Sequence, residues 1–362
     1  MKPGRFTCWI TTERFTALSN RSKVAILALA YILLLAIGAG CFLTVSLPEA
    51  PSVAPSAIPA TAVSIAPTEV IPIITMTSFS APSPQTPLHD STITPSPTFT
   101  PETPIVFAVI GDYGARSKAE GEVADLIKSW NPDFIITTGD NNYPDGSVDT
   151  IDASIGQYFH EYIYPYRGNF GEGSDKNRFF PSLGNHDWMS AKAKPYLDYF
   201  HLEGNERYYT FNWGPIDFFV VDSDSNEPDG VAASSKQANW LDEQLGASNA
   251  PWKIVYMHHP PYSSGTHGSV TWMRWPFKEW GASAVLSGHD HLYERLEVDG
   301  LPYFINGLGG GAIYDFKNVL DGSQVRYNAN YGAMRVEATS TTMTFQFIDR
   351  KGEVIDTYEI TH

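Results

Sequence analysis

Beyond residue 41 the sequence contains no cysteine. The chain has 362 residues and only two cysteines, Cys8 and Cys41. The long remainder therefore has neither a disulfide framework nor a thiolate metal ligand, and its stability must come from a packed core. Basic residues are also scarce. Residues 1–47 hold five of them (Lys2, Arg5, Arg14, Arg21 and Lys23) against one acid, Glu13; the rest carries 19 basic and 39 acidic residues, a formal net charge of −20. Such a body is unsuited to sequence-independent nucleic-acid binding, which depends on Lys and Arg neutralising phosphates. It accommodates a small anionic substrate where bound metal supplies the positive charge.

Charge is missing altogether from residues 24–47. As a helix rising ~1.5 Å per residue this segment would reach about 36 Å, against a hydrocarbon core of ~30 Å. Basic residues precede it and none follows until Arg116. The positive-inside rule then puts residues 1–23 in the cytoplasm as a basic leader, and everything after residue 47 outside the cell membrane. An uncleaved single-pass anchor is the expectation. Its competitors are a cleaved signal peptide, whose apolar stretch is normally shorter, and a lipid anchor on the lipoprotein-like box Ile37-Gly38-Ala39-Gly40-Cys41. Residues 48–104 lack Lys and Arg and hold 13 of the 26 prolines, with many Ser and Thr and two aromatics. A stretch of this kind cannot bury enough apolar surface to order itself, so a disordered, extended linker is expected.

From residue 105 to 362 the pattern is that of one globular α/β domain. Residues 105–110 (IVFAVI), 134–138 (FIITT), 179–183, 253–257 and 284–287 read as short buried strands. Residues 119–130 and 235–246 read as helices, as do the aromatic-rich 158–166 and 272–280. Residues 208–213 and 217–222 read as paired strands, and 296–360 as a run of strands with Gly-rich turns. Each of the five buried strands ends in a polar cluster. In open α/β sheets ligands bind beyond the carboxyl ends of strands, so these clusters should converge.

The clusters are Gly111-Asp112-Tyr113-Gly114, Gly139-Asp140-Asn141-Asn142-Tyr143, Gly184-Asn185-His186-Asp187, Met257-His258-His259-Pro260 and Gly288-His289-Asp290-His291. They offer carboxylates, a phenol, an amide oxygen and imidazoles, a donor set suited to Fe, Zn or Mn. Singly, each is as compatible with a turn or a hydrogen-bonded core residue as with a ligand. Jointly they gather six of the ten histidines (186, 258, 259, 267, 289 and 291) at or beside strand ends. Asp222-x-Asp224-x-Asn226 begins like a calcium loop, but Glu227 and Ala233 stand where such a loop needs Gly and a bidentate Glu, and it reads as an acidic turn.

Together the motifs resemble the calcineurin-like metallophosphoesterase superfamily and, within it, the purple acid phosphatases. Two linked features carry the finer resemblance: Gly114 stands where the general first motif has His, and Tyr143 follows the second Asp by three residues. The resemblance implies a four-layer α/β/β/α sandwich around two metal ions. Asp112, Asp140, Tyr143 and His291 would hold Fe³⁺, whose charge would keep the phenol ionised. Asp140, Asn185, His258 and His289 would hold Fe²⁺, Zn²⁺ or Mn²⁺. It further implies hydrolysis of a small phosphate monoester by a metal-bound hydroxide, with His186 beside the phosphate and His267 as proton donor to the leaving group. His259 is expected just outside the ligand set, and Asp290 turned away from it. The linker leads straight into the first motif, so the chain looks closer to the small tartrate-resistant enzymes than to the large plant type. Two other functions stay open on sequence: a phosphodiesterase or nucleotidase on the same site, and a non-catalytic binding module.

Overall fold

The computed structural model describes residues 102–362; the basic leader, the expected membrane segment 24–47 and all but the last three residues of the linker 48–104 lie outside the described residues. Among the described residues, no helix is long and apolar enough to cross a membrane.

The strands are β1 (Ile105–Ile110), β2 (Phe134–Thr137), β3 (Phe179–Pro181), β4 (Tyr209–Trp213), β5 (Ile216–Val220), β6 (Trp252–Tyr256), β7 (Ala284–Ser287), β8 (Tyr293–Val298), β9 (Leu301–Asn306), β10 (Ser323–Tyr327), β11 (Gly332–Ala338), β12 (Thr342–Asp349) and β13 (Val354–Thr361). They form two sheets, in the orders β13-β12-β11-β1-β2-β3 and β10-β8-β9-β7-β6-β5-β4. β1, β2 and β3 run parallel, as do β5, β6, β7 and β9. The remaining pairings are antiparallel.

Strands buried on both faces read as unbroken apolar runs, and alternation divides those runs between two cores. In β5 to β7, Phe218, Ile254, Tyr256, Ala284 and Leu286 join the core between the sheets, whereas Phe219, Val255 and Val285 join a second core on the far side. Aromatic pairs bridge the sheets: Phe180 stacks on Phe211 at 3.8 Å, Tyr293 on Phe347 at 4.3 Å and Phe304 on Phe345 at 4.7 Å. Helix α1 (Lys118–Ser129) lays Val123, Ala124 and Ile127 on the first sheet. α2 (Asn185–Met189) and α3 (Lys194–Tyr199) follow β3. α4 (Lys236–Ala247) closes the second core with Leu241 and Leu245. The order is thus helix, sheet, sheet, helix. Both long helices start where their caps dictate: Ser117 Oγ accepts from the Glu120 amide and Ser235 Oγ from the Ala238 amide, each at 3.1 Å.

Two expected helices are corrected. Over 272–280 only a 3₁₀ turn forms, Thr271–Met273; Pro276 has no N–H to give a helix and its ring opposes one. The helical run near 158–166 lies earlier, at 152–162, and begins with a π-helical turn, Asp152–Gly156.

Phe218 is fully buried between the sheets, against Phe107, Phe134 and Phe211. Phe218→Ala should lower stability by about 3–5 kcal/mol, read from denaturant unfolding. Glu120 is fully buried in the first turn of α1, and neither carboxyl oxygen has a hydrogen-bond partner among the described residues. Burial pushes its pKa up from 4.5 to about 9. The native state then holds a proton that the unfolded chain releases, so this group's contribution to stability falls as pH rises between those values. Glu120→Gln should flatten the decline; unfolding midpoints at pH 5, 7 and 9 test this, and an unchanged slope would refute it.

Candidate metal centre

Parallel pairing brings the five motif-bearing strand ends to one edge, and hydrogen bonds between the loops bind them together. The Asp112 amide donates to the Gly139 carbonyl (3.0 Å) and the Gly288 amide to the His258 carbonyl (2.9 Å). Across the sheets, the His289 amide donates to Asp112 Oδ2 (2.9 Å). Close approach requires glycine at two positions. A Cβ on Gly288 would lie 2.4 Å from Asp112 Oδ2, and one on Gly184 would lie 2.2 Å from the Asp140 amide nitrogen. Asp112, Asp140 and His289 all hold positive φ (55°, 52° and 69°). Such backbone costs of order 1–3 kcal/mol each and gathers at functional sites.

All seven expected ligands are brought together, in two groups that share Asp140. In the first, the Tyr143 hydroxyl lies 2.9 Å from Asp140 Oδ2, 3.0 Å from His291 Nε2 and 3.3 Å from Asp112 Oδ1. His291 Nε2 is itself 3.2 Å from Asp112 Oδ1. In the second, His258 Nε2 lies 3.0 Å from Asn185 Oδ1, 3.2 Å from His289 Nδ1 and 3.5 Å from Asp140 Oδ2. His258 Nδ1 donates to the Thr138 carbonyl at 2.8 Å, and His291 Nδ1 to the Ala312 carbonyl. With Nδ1 committed to a carbonyl, each ring turns Nε2 into the cluster, where it can share a proton with Asp112, Asp140 and Tyr143 or, deprotonated, bind a metal. The donors gathered here suit bound metal: carboxylate and phenol oxygens with one imidazole in the first group, an amide oxygen, a carboxylate and imidazoles in the second, and no sulfur.

Electrostatics point the same way. Burial, then the charges of Asp112 and Asp140, hold the Tyr143 phenol well above its usual range. Only strong positive charge beside it would ionise it. Burial works to raise Asp112, but His291, His258 and the His289 amide leave it below the usual carboxylate value. Burial, and then His258, depress His289, so that its ring is neutral and open to a metal.

The expected substrate-side histidines are also here. The His186 amide donates to Asp140 Oδ1 (2.9 Å), and its ring lies 4.5 Å from that of Tyr143. The His267 ring lies 4.5 Å from His289. His259 comes as close as the expected ligand histidines: His258, His259 and His289 offer nitrogens within 4.8 Å of one another, as do the donor atoms of Asp112, Asp140 and His291. His259 Nδ1 lies 3.0 Å from Ser223 Oγ, and burial and the His258 charge push its pKa down to about 3. The Asp222–Asn226 stretch is a turn, with the Asp224 amide bonded to Asp222 and the Asn226 amide to Asp224.

Sequence reasoning missed three supports. Asp187 accepts from the Gly184 amide and from the Asn141 amide and side chain, bracing the second motif against the third. Burial, then the Asp140 charge, push its pKa up to about 7. Asn141 Oδ1 in turn accepts from Tyr113 and Thr137. The Tyr314 ring stacks on His291 at 4.1 Å, three residues beyond the Gly309-Gly310-Gly311 run that was its one sequence signal.

Gly288→Ala should displace the Asp112 carboxylate and empty the centre. Metal per chain, measured by elemental analysis, is expected to fall severalfold while the far-ultraviolet dichroism is kept; full metal content would contradict the close packing described.

The family model for calcineurin-like phosphoesterases matches residues 105–293. Purple acid phosphatase 17 of Arabidopsis thaliana is 26% identical over 288 residues, covering 69% of this chain and 82% of that one. Tartrate-resistant acid phosphatase type 5 of Mus musculus is 24% identical over 242 residues, 56% of this chain and 72% of the other. Among solved structures, a purple acid phosphatase from yellow lupin (Lupinus luteus) seeds is similar with TM-score 0.57 and 15% identity; the match covers 72% of this chain and 54% of that one. GAP50, the anchor in the inner membrane complex of Plasmodium, is similar with TM-score 0.55 and 20% identity, covering 72% and 89%. The metal-donor geometry and the family match lead to one assignment: this chain belongs to the calcineurin-like phosphoesterases.

Proposed function

We propose that the protein is a dinuclear phosphomonoesterase of the purple acid phosphatase kind. The observation that carries this reading is Tyr143, whose hydroxyl lies within 3.3 Å of Asp112, Asp140 and His291. In this reading Asp112, Asp140, Tyr143 and His291 hold Fe³⁺, and Asp140, Asn185, His258 and His289 hold Fe²⁺, Zn²⁺ or Mn²⁺. When bound, the ions supply positive charge for the phosphate and an acidified water as nucleophile. The protein's own groups do the rest. Asp140 keeps the two donor groups in register through one carboxylate. His186, tied to Asp140 by its amide and leaning on the Tyr143 ring, reaches the phosphate oxygens from one side. His267, over His289, meets the leaving oxygen from the other and hands it a proton.

The uncharged segment 24–47 and the Pro-rich 48–104 add a location: a single-pass anchor and spacer that hold the phosphatase outside the cell membrane. Protease shaving of intact cells should release activity if that is so, and a domain that stays protected would overturn it.

The purified full chain should be coloured through a phenolate–Fe³⁺ transition and contain about one iron per chain in addition to a second metal. Tyr143→Phe should remove the colour, and prolonged chelation should remove metal and activity together. A colourless protein without iron would end the purple assignment and leave a phosphoesterase on other metals. An aryl phosphate monoester should be cleaved faster than the bis-aryl diester; the reverse preference would favour a phosphodiesterase. A second reading as a non-catalytic module has one point in its favour, the similarity to a Plasmodium protein described as an anchor. His267→Ala decides between them: an enzyme loses about 10²–10⁴-fold in kcat when a positioned acid–base group is removed, and a binding module has no turnover to lose.

A further inference from the structure

The segment 263–268 (Ser-Ser-Gly-Thr-His-Gly) has the composition of a mobile loop. The structure ties it down instead. Asp290, between His289 and His291, is fully buried and turns to this segment. Its carboxylate accepts from Ser263 Oγ (2.5 Å), the His267 amide (2.8 Å) and the Gly268 amide (3.1 Å). Glu294, also fully buried, accepts from the Ser264 amide (2.8 Å) and from Ser323 Oγ. Among the described residues neither side chain forms an ion pair. A buried carboxylate without a cation is tolerable only when N–H and O–H donors satisfy it. Ser263 and Ser264, themselves almost wholly buried, are there to do so. Gly265 lets the backbone pass over the acid, since a Cβ would lie 2.4 Å from Asp290 Cγ. On its outer side the loop is held by the Lys317 amide to the Ser264 carbonyl (2.9 Å) and the Leu320 amide to Ser264 Oγ (3.0 Å).

We propose that Asp290, supported by Glu294, is a positioning residue. It binds the backbone of 263–268 to the His289–His291 segment, so that the His267 ring is kept 4.5 Å from His289 rather than carried on a swinging loop. The loop that bears His289 and His291 and the loop that bears His267 then move as one body. The functional half of this proposal rests on the phosphoesterase reading above; the structural half does not.

Two measurements on the metal-loaded full chain test it. In hydrogen exchange, the amides of Ser264, His267 and Gly268 should be protected. In D290N, where one acceptor oxygen becomes an NH₂ donor, the His267 and Gly268 amides should exchange about tenfold faster or more, and in E294Q only Ser264 should. Fast exchange already present in the wild type would overturn the clamp, whatever the protein catalyses. The second measurement is a kinetic cycle with an aryl phosphate. D290N should lower kcat about tenfold in the wild-type background and less than about twofold in H267A, because the two residues act through one another. Equal losses in both backgrounds mean a general structural role and overturn the proposal. So does an H267A protein as active as wild type, or a loss of metal in D290N. A wild-type chain that cleaves no phosphate ester would remove the phosphoesterase reading, while the exchange data still decide the clamp.

Discussion

Asp112 and Asp140 lie buried on either side of a single phenol, and most of the architecture around them serves to keep acceptors together that would otherwise separate. Each carboxylate sits in left-handed backbone, and each has a glycine from another strand end packed against it, Gly288 on Asp112 and Gly184 on Asp140. Like-charged and lone-pair groups do not gather at these distances without a cation to draw them in or a frame that prevents escape. The frame is present in this chain, and the donors it gathers are of the kinds that hold a metal.

That frame depends on strand direction. Parallel β1, β2 and β3 and parallel β5, β6 and β7 send their carboxyl ends to one edge, and the aromatic contacts between the sheets keep the two sets of loops facing each other. One carboxylate per neighbourhood then carries the local order. Asp187 braces the second and third motifs, and Asp290 braces the fifth motif against the loop that bears His267. Both are neighbours of expected ligands in sequence, and both point away from the donors they stand beside.

Much of this was legible beforehand because the relevant signals are local. Unbroken apolar runs ending in Gly-Asp, Gly-Asn-His or Gly-His-Asp-His announce buried strands and the polar turns that follow them. Where the reading slipped, a local signal was overridden: Pro276 stands inside the stretch 272–280 that had read as a helix, and a π-helical turn began the other one early. The small polar 263–268 loop looked mobile because its partners, Asp290 and Glu294, are more than twenty residues away.

By itself the sequence determined the residue types at each strand end, their order and their spacing, and so the donor chemistry and the expectation that one site would hold it. Those are properties of short segments, set by backbone turns and side-chain chemistry that a segment carries with it. Only the tertiary structure decided that Asp187 and Asn141 brace the second motif against the third, that His259 comes as near as an expected ligand while bonded to Ser223, and that Tyr314 covers His291. Each of these depends on how two sheets pack and how distant loops cross. Contacts of that kind are chosen by the whole core, and no segment contains them.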